Sequence, residues 1–263
     1  MRHWMLRVAL VVLAGLFVGT RCFADGVSIW IDDSVGEIGT VDVTTGAVSL
    51  VGNAGVVLTD MAYSPGGVLY GIDYSNLYTV NQGTGVATLV GSLGIVPQVN
   101  SLVSGSDGTL YTVDKVTGGL YTVNPSTGAA TLVGSTGFAS AGDLAFFNGT
   151  LYMTSSIDAF ISIDPATGAG TFIGPLGFQD MYGLVDPGNG TLYGASGTNL
   201  YTIDPATGTP TLDVGYGGSG LDSAYGATFV PLAPTPEPAT LLLLGSGLLG
   251  LIVLAHRRRG QHA

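Results

Sequence analysis

The chain has 263 residues, 46% of them hydrophobic and only 10% charged, with a formal net charge of −11 at pH 7. Between residues 25 and 236 a single cation, Lys115, faces seventeen acids, which excludes nucleic acid and anionic lipid as partners of that stretch. The three histidines (His3, His256, His262) and the one cysteine (Cys22) lie outside it, which excludes Ser-His-Asp and Cys-His triads and His-ligated zinc.

Residues 1–24 come first in chain order. Arg2 and Arg7 precede and flank an apolar run over residues 8–18, and the segment closes with Cys22-Phe23-Ala24. A basic start, a short apolar run and small residues at −3 and −1 read as a secretory signal cut after Ala24. Arg21 stands where a lipoprotein signal needs a small residue, so Cys22 is not read as an acylation site. Cleavage leaves an exported body without a thiol, held together by strand pairing and burial alone.

From residue 38 the chain repeats itself. IGTVDVTTGAVSLVG starts at Ile38, LYTVNQGTGVATLVG at Leu77, LYTVNPSTGAATLVG at Leu120, FISIDPATGAGTFIG at Phe160 and LYTIDPATGTPTLDVG at Leu200, spaced 39, 43, 40 and 40 residues apart. In the last two copies β-branched and aromatic runs flank Asp-Pro-Ala-Thr-Gly, which is turn chemistry. Asp164 and Asp204 can accept an N–H two residues on, Pro165 and Pro205 set φ at about −65°, and Gly168 and Gly208 can take positive φ. Each copy is therefore predicted to be a β-hairpin. A second hairpin lies between copies, turning at Pro65-Gly66-Gly67, Asp107-Gly108, Asn148-Gly149 and Gly188-Asn189-Gly190. The Asn-Gly-Thr sequences at Asn148 and Asn189 match a glycosylation pattern, but the turn accounts for them. Four strands in roughly 40–45 residues describe a propeller blade. Trp30, Tyr70, Tyr111, Tyr152 and Tyr193 recur once per period and are read as packing between blades.

The ends complete the count. Residues 27–52 supply three strands and residues 222–230 one more, which together make a blade beside those at 58–91, 100–134, 141–174 and 181–215. The expectation is an all-β, five-bladed propeller over residues 25–230, closed by its N- and C-terminal strands so that no open edge remains. An open solenoid would need capping units, and none is visible in the sequence.

Prolines 231, 234, 236 and 238 mark residues 231–238 as an extended linker. Residues 239–255 are uncharged and predict one short transmembrane helix. The basic segment 256–263 then stays cytoplasmic and the body faces outward. Pro236-Glu237-Pro238, an apolar helix and Arg257-Arg258-Arg259, in that order, resemble the PEP-CTERM sorting signal of Gram-negative bacteria. The resemblance implies recognition by an exosortase-type membrane transpeptidase and anchoring in the inner membrane before processing. Release or attachment at the cell surface would follow, in bacteria that produce exopolysaccharide and biofilm. The repeats resemble the broad kelch-like and NHL-like propeller superfamily without its Trp-Asp or double-glycine signatures, and this implies no activity.

Carboxylates are the chemistry left to the body. Aligning the first strand of each blade puts Asp60, Asn100, Asp143, Asp180 and Asp222 at its opening residue, around one mouth of the central channel. Asp32, Asp33, Asp73, Asp114 and Asp158 fall in loops on the same face, joined by Glu37. Each Asx can cap its own turn. Five converging oxygen donors also suggest weak Ca²⁺ binding, able to bridge to an anionic polysaccharide. Two functional classes follow. One is a non-catalytic surface binding or matrix module, with polysaccharide as its partner. The other is a carbohydrate-active or lyase-type propeller enzyme that uses paired Asp carboxylates; five-bladed rings host such enzymes, but a fold alone does not choose between the two.

Overall fold

A computed structural model of the protein describes residues 26–95, 98–177 and 180–231. The signal segment with Ala24, and the Pro-Glu-Pro, helical and arginine segment, lie outside the described residues. Among the described residues no helix is long and apolar enough to cross a membrane.

Among the described residues twenty strands make up the ring, the last of them ending at Phe229. The first three are β1 (Ser28–Asp33), β2 (Glu37–Asp42) and β3 (Val48–Asn53). Then come β4 (Asp60–Tyr63), β5 (Leu69–Ile72), β6 (Asn76–Val80) and β7 (Ala87–Ser92), followed by β8 (Val103–Ser104), β9 (Leu110–Val113), β10 (Gly119–Val123) and β11 (Ala130–Ser135). β12 (Ser140–Phe147), β13 (Thr150–Ser155), β14 (Ala159–Ile163) and β15 (Gly170–Gly174) precede β16 (Gly183–Val185), β17 (Leu192–Ser196), β18 (Asn199–Ile203) and β19 (Pro210–Gly215). The last is β20 (Ala224–Phe229). They form five four-stranded antiparallel sheets, four of them consecutive in sequence and the fifth ordered β20-β1-β2-β3. The expected closure by both termini is what the structure shows. Ile29 pairs with Phe229 and Ile31 with Ala227.

The turns form for the reasons the sequence offers. Asp164 and Asp204 each accept the N–H two residues on at 2.9 Å, and Gly168 and Gly208 sit at φ +78° and +76°. Asn148 and Gly149 both take positive φ, as a two-residue hairpin turn requires. Every blade also carries one bulge between its third and fourth strands, for instance between Leu120 and Tyr121.

Blades meet through apolar faces and through glycine. Each described core cluster draws on two adjacent sheets, such as Ile72 and Leu77 with Leu110 and Val123. Tyr70, Tyr111, Tyr152 and Tyr193 each belong to one of these clusters, in keeping with a packing role. At the rim, the glycine near the end of an outer strand lies under the Thr-Gly turn of the next blade. A Cβ on Gly52, Gly91, Gly134 or Gly174 would meet the carbonyl oxygen of Thr84, Thr127, Thr167 or Thr207 at 2.2, 2.2, 2.0 and 2.0 Å. The seam between last and first blades repeats the contact, with Gly46 against the Gly215 carbonyl. Only a residue without a Cβ lets the blades approach this closely. Around the axis β4, β8, β12, β16 and β20 are successive neighbours, so each blade's first strand is its innermost.

Candidate functional site

At the hub, three carboxyls from three blades are buried together. Asp60, on β4, accepts the N–H of Met61 at 2.7 Å and that of Leu102 in the next blade at 2.5 Å. Asp143, on β12, accepts from Leu144 and Leu184 at 2.5 Å each and from Ala227 at 3.2 Å, so it ties three blades. The two carboxyls hydrogen-bond to each other. Burial holds both well above the usual carboxylate range. The charge of Asp143 and the hydrogen bond to it push Asp60 further, whereas Asp60 and three backbone N–H groups partly oppose the rise at Asp143. The pair therefore holds a proton more firmly than free carboxyls do.

Asp32, on β1, is the third. It is fully buried, and neither oxygen has a partner of hydrogen-bond geometry among the described residues. Burial raises its pKa to about 8, with its own amide opposing and the charge of Asp33 adding. Gly226 makes the cluster sterically possible. A Cβ there would stand 2.5 Å from the Asp60 Cα, 2.4 Å from an Asp60 oxygen and 2.7 Å from an Asp32 oxygen.

The predicted ring of five donors does not come together. Asp60 and Asp143 are buried in the hub, Asn100 sits at the floor of a surface cavity, and Asp180 and Asp222 are exposed. The reason is register: pairing with the second strand puts Ser101, Gly183 and Gly226, not Asn100, Asp180 and Asp222, at the position that Asp60 and Asp143 share. Among the described residues no three His, Cys, Asp or Glu side chains are grouped to hold a metal ion. N–H donors also occupy the Asp60 and Asp143 oxygens that a cation would need. Most of the loop acids act as turn caps instead. Asp33 accepts from Val35 and Glu37 and, across the ring closure, from Asp222 at 2.8 Å. Asp73 accepts from Ser75 and Asn76, and Asp114 from Val116 and Thr117. Asp158, at φ +60°, does not follow this pattern.

Above the hub, the starts of the inner strands open into a cavity of about 370 Å³. Thr59 and Gly142, chain neighbours of Asp60 and Asp143, form part of its lining, with Asn100 and Ser140 beside them. Tyr74 and Lys115 are delivered by the Asp73 and Asp114 turns, each following its capping residue, and the Lys115 amine lies 4.0 Å over the Tyr74 ring. The Lys115 amide donates to the Gln98 carbonyl, which pins the loop. Tyr182 is seated against Gly142, where a Cβ would meet it at 3.0 Å, and its hydroxyl donates to Asp180 at 3.0 Å. Tyr225 stands edge-on to it at 6.1 Å. Burial, then Asp180, with Tyr225 and Tyr74 adding, raises the Tyr182 phenol and keeps it protonated.

Residues 234–259 match the PEP-CTERM protein-sorting motif. The chain carries a PEP-CTERM sorting signal. That signal is read by exosortase, a membrane processing enzyme, and it marks the protein for export and sorting to the surface or exterior. Residues 60–185, from the first residue of β4 to the last of β16, match a repeat of unknown function (DUF6923). No curated protein sequence matches.

Solved structures confirm the ring. One comes from work on the de novo evolutionary emergence of a symmetrical protein; it is 21% identical, with a TM-score of 0.54 over 78% of this chain and 100% of its own. A protein of unknown function from Bacteroides thetaiotaomicron is 16% identical, with a TM-score of 0.53 over 81% of this chain and 67% of its own. A chain of a nidogen/laminin complex is 14% identical, with a TM-score of 0.53 over 77% and 98%. At these identities the likeness is one of fold.

On this PEP-CTERM-bearing chain, sequence reasoning missed Tyr74, Lys115, Ser140, Tyr182 and Tyr225 as cavity residues. Lys115 carried a signal, being the one cation among seventeen acids. The tyrosines carried none, because they fall outside the repeated LYTV positions.

Proposed function

We propose that the ring is an exported binding and structural module that holds polysaccharide at its tyrosine-lined mouth, in an exopolysaccharide or biofilm setting. The tail anchors it in the inner membrane until an exosortase-type transpeptidase removes residues beyond the Pro-Glu-Pro triplet. The carrying observation is the cavity of three tyrosines, one lysine and one exposed aspartate at the axis mouth. Aromatic faces ringed by a few polar groups are the usual make-up of small-ligand sites.

The placement of the carboxyls supports a non-catalytic reading. Acid–base cleavage of a glycosidic bond needs two carboxyls flanking the substrate. Asp60 and Asp143 are buried under the cavity and bonded to backbone, which leaves Asp180 alone in the lining. A glycan array run beside a hydrolysis assay tests the reading: binding without turnover is expected, and sugar release that depends on Asp180 would replace it with the enzyme reading. Sorting has its own test. Glu237→Ala, or deletion of Arg257, Arg258 and Arg259, should leave unprocessed protein in the inner membrane by fractionation and intact mass.

A further inference from the structure

The mouth cavity also carries information about which sugar it takes, an inference that rests on the reading above. Its charges cancel. Lys115 and Asp180 line the same cavity, and the Lys115 amine is already committed to the face of Tyr74. Around it the body has sixteen acids besides Asp180 and no other cation. A negatively charged ligand would meet a repulsive field on approach and, in the cavity, a single cation offset by Asp180.

The floor instead presents one unpaired acceptor and one unpaired hydroxyl. Asn100 and Ser140 are 9% and 2% exposed. The Asn100 amide nitrogen donates to the Ala141 carbonyl at 2.8 Å, which fixes its orientation and leaves Oδ1 as an acceptor without a partner. The Ser140 hydroxyl has no partner either. A sugar hydroxyl can serve both groups, whereas a carboxylate can accept from Ser140 but cannot satisfy Oδ1. Tyr182 and Tyr225, half-buried and at 83° to one another, offer ring surface for the apolar face of a sugar. The cavity is near the small end of the range for ligand sites, which suits one sugar ring rather than a continuous run.

We infer that the mouth selects an uncharged, hydroxyl-rich sugar residue, a neutral hexose at a chain end or branch. It stacks on Tyr182 and Tyr225 over the Asn100 and Ser140 floor. The test measures binding of the full chain to neutral hexose oligosaccharides and to uronic-acid oligosaccharides of equal length, by calorimetry at low and moderate salt. Tyr182→Ala and Lys115→Met variants are compared, with circular dichroism to confirm that they fold. Neutral oligosaccharides should bind at least about tenfold more tightly than acidic ones. Tyr182→Ala should weaken them by about tenfold, and Lys115→Met by less than about threefold. Preference for uronates, lost in Lys115→Met, would overturn the neutral-sugar assignment and leave the surface-binding function standing. Neutral binding indifferent to Tyr182→Ala would place the site elsewhere, overturning the inference and the mouth as the site while leaving a polysaccharide-binding role standing. A folded protein that binds neither class would overturn both.

Discussion

At the rim the same contact is made five times: an outer-strand glycine or its carbonyl lies against the turn glycine region of the neighbouring blade, with a bulge close by. At the hub three acids of three blades meet once: Asp60 and Asp143 each accept the following N–H and a leucine N–H of the next blade, Asp143 alone adds Ala227, and Asp32 has no partner among the described residues. The rim is built by repetition and the hub by exception. The difference teaches where to look for function in a ring of copies. What recurs in every blade holds the blades together, and what occurs once is free to do something else. The mouth cavity obeys the same division, since Tyr74, Lys115 and Ser156 occupy corresponding loop positions with three unlike side chains.

Breaking the ring altogether should have the largest effect. Removing residues 221–230 takes away β20, its pairing with β1 and the Ala227 N–H held by Asp143. Loss of the cooperative thermal transition is expected, since domains have only about 5–15 kcal/mol in hand. An unchanged single transition would show that the closing strand is dispensable.

Glycine substitutions compare the two regions directly. Gly226→Ala drives a Cβ into the Asp60 backbone and two buried carboxyls, and should cost about 3 kcal/mol or more. Gly134→Ala at the rim meets one turn carbonyl at 2.0 Å, and should cost about 1–3 kcal/mol because an outer turn can shift. Denaturant melts of both variants give the order, and an equal cost would mean that the rim is as rigid as the hub.

Acid and base should separate hub from rim by sign. Asp32 in the folded state holds its proton up to a pKa of about 8, above its unfolded value, so the folded state binds more protons between the two. Stability is therefore full below about pH 4 for this group and falls as pH rises towards 8, by at most about 1.4 kcal/mol per unit. The raised Asp60–Asp143 pair acts in the same direction. Turn acids act in the opposite one. The Ala166 N–H first, then the Thr167 hydroxyl, lower Asp164, and Thr109 lowers Asp107, so their contribution is lost as pH falls below the usual Asp value. Melting temperature should peak in mildly acidic buffer, and Asp32→Asn should flatten its decline and raise it at pH 8. Millimolar Ca²⁺ or a chelator should leave this profile unmoved; a Ca²⁺-dependent gain at pH 8 would mean that a cation, not a proton, neutralises the hub.

The smallest effect is expected outside the rim contacts. Leu132 is 60% exposed on an outer strand, and Leu132→Thr should change stability by less than about 0.5 kcal/mol. A larger loss would show that this exposed face is covered in solution.

The rim was legible in the sequence because its causes are local. Asp-Pro-Ala-Thr-Gly forms a turn from its own atoms, and five copies in register announce five blades. Ring closure was legible by counting, three strands at one end and one at the other. The hub was not, because repeat alignment treats letters at equal spacing as equivalent. Asp60 and Asp143 do share one register position, but the pairing puts Gly183 and Gly226 there in two other blades, not Asp180 and Asp222, so aligned letters face different surroundings. Asp32 was seen only as a loop acid, although its place at the end of the buried run Ile29–Ile31 hinted otherwise. Contacts such as Asp143 to Ala227 join residues far apart in the chain, and no local pattern encodes them.

The direction of the inner strands has one more consequence. All five run the same way along the axis: their starts line the tyrosine cavity, and their ends, including Tyr63, Val185 and Phe229, line a second, more apolar hollow at the other mouth. The chain leaves the ring at the end of β20, at that second mouth, and continues towards its sorting signal. The two mouths are thus unlike: one has room for a guest among its tyrosines, and the other is where the ring's last strand ends.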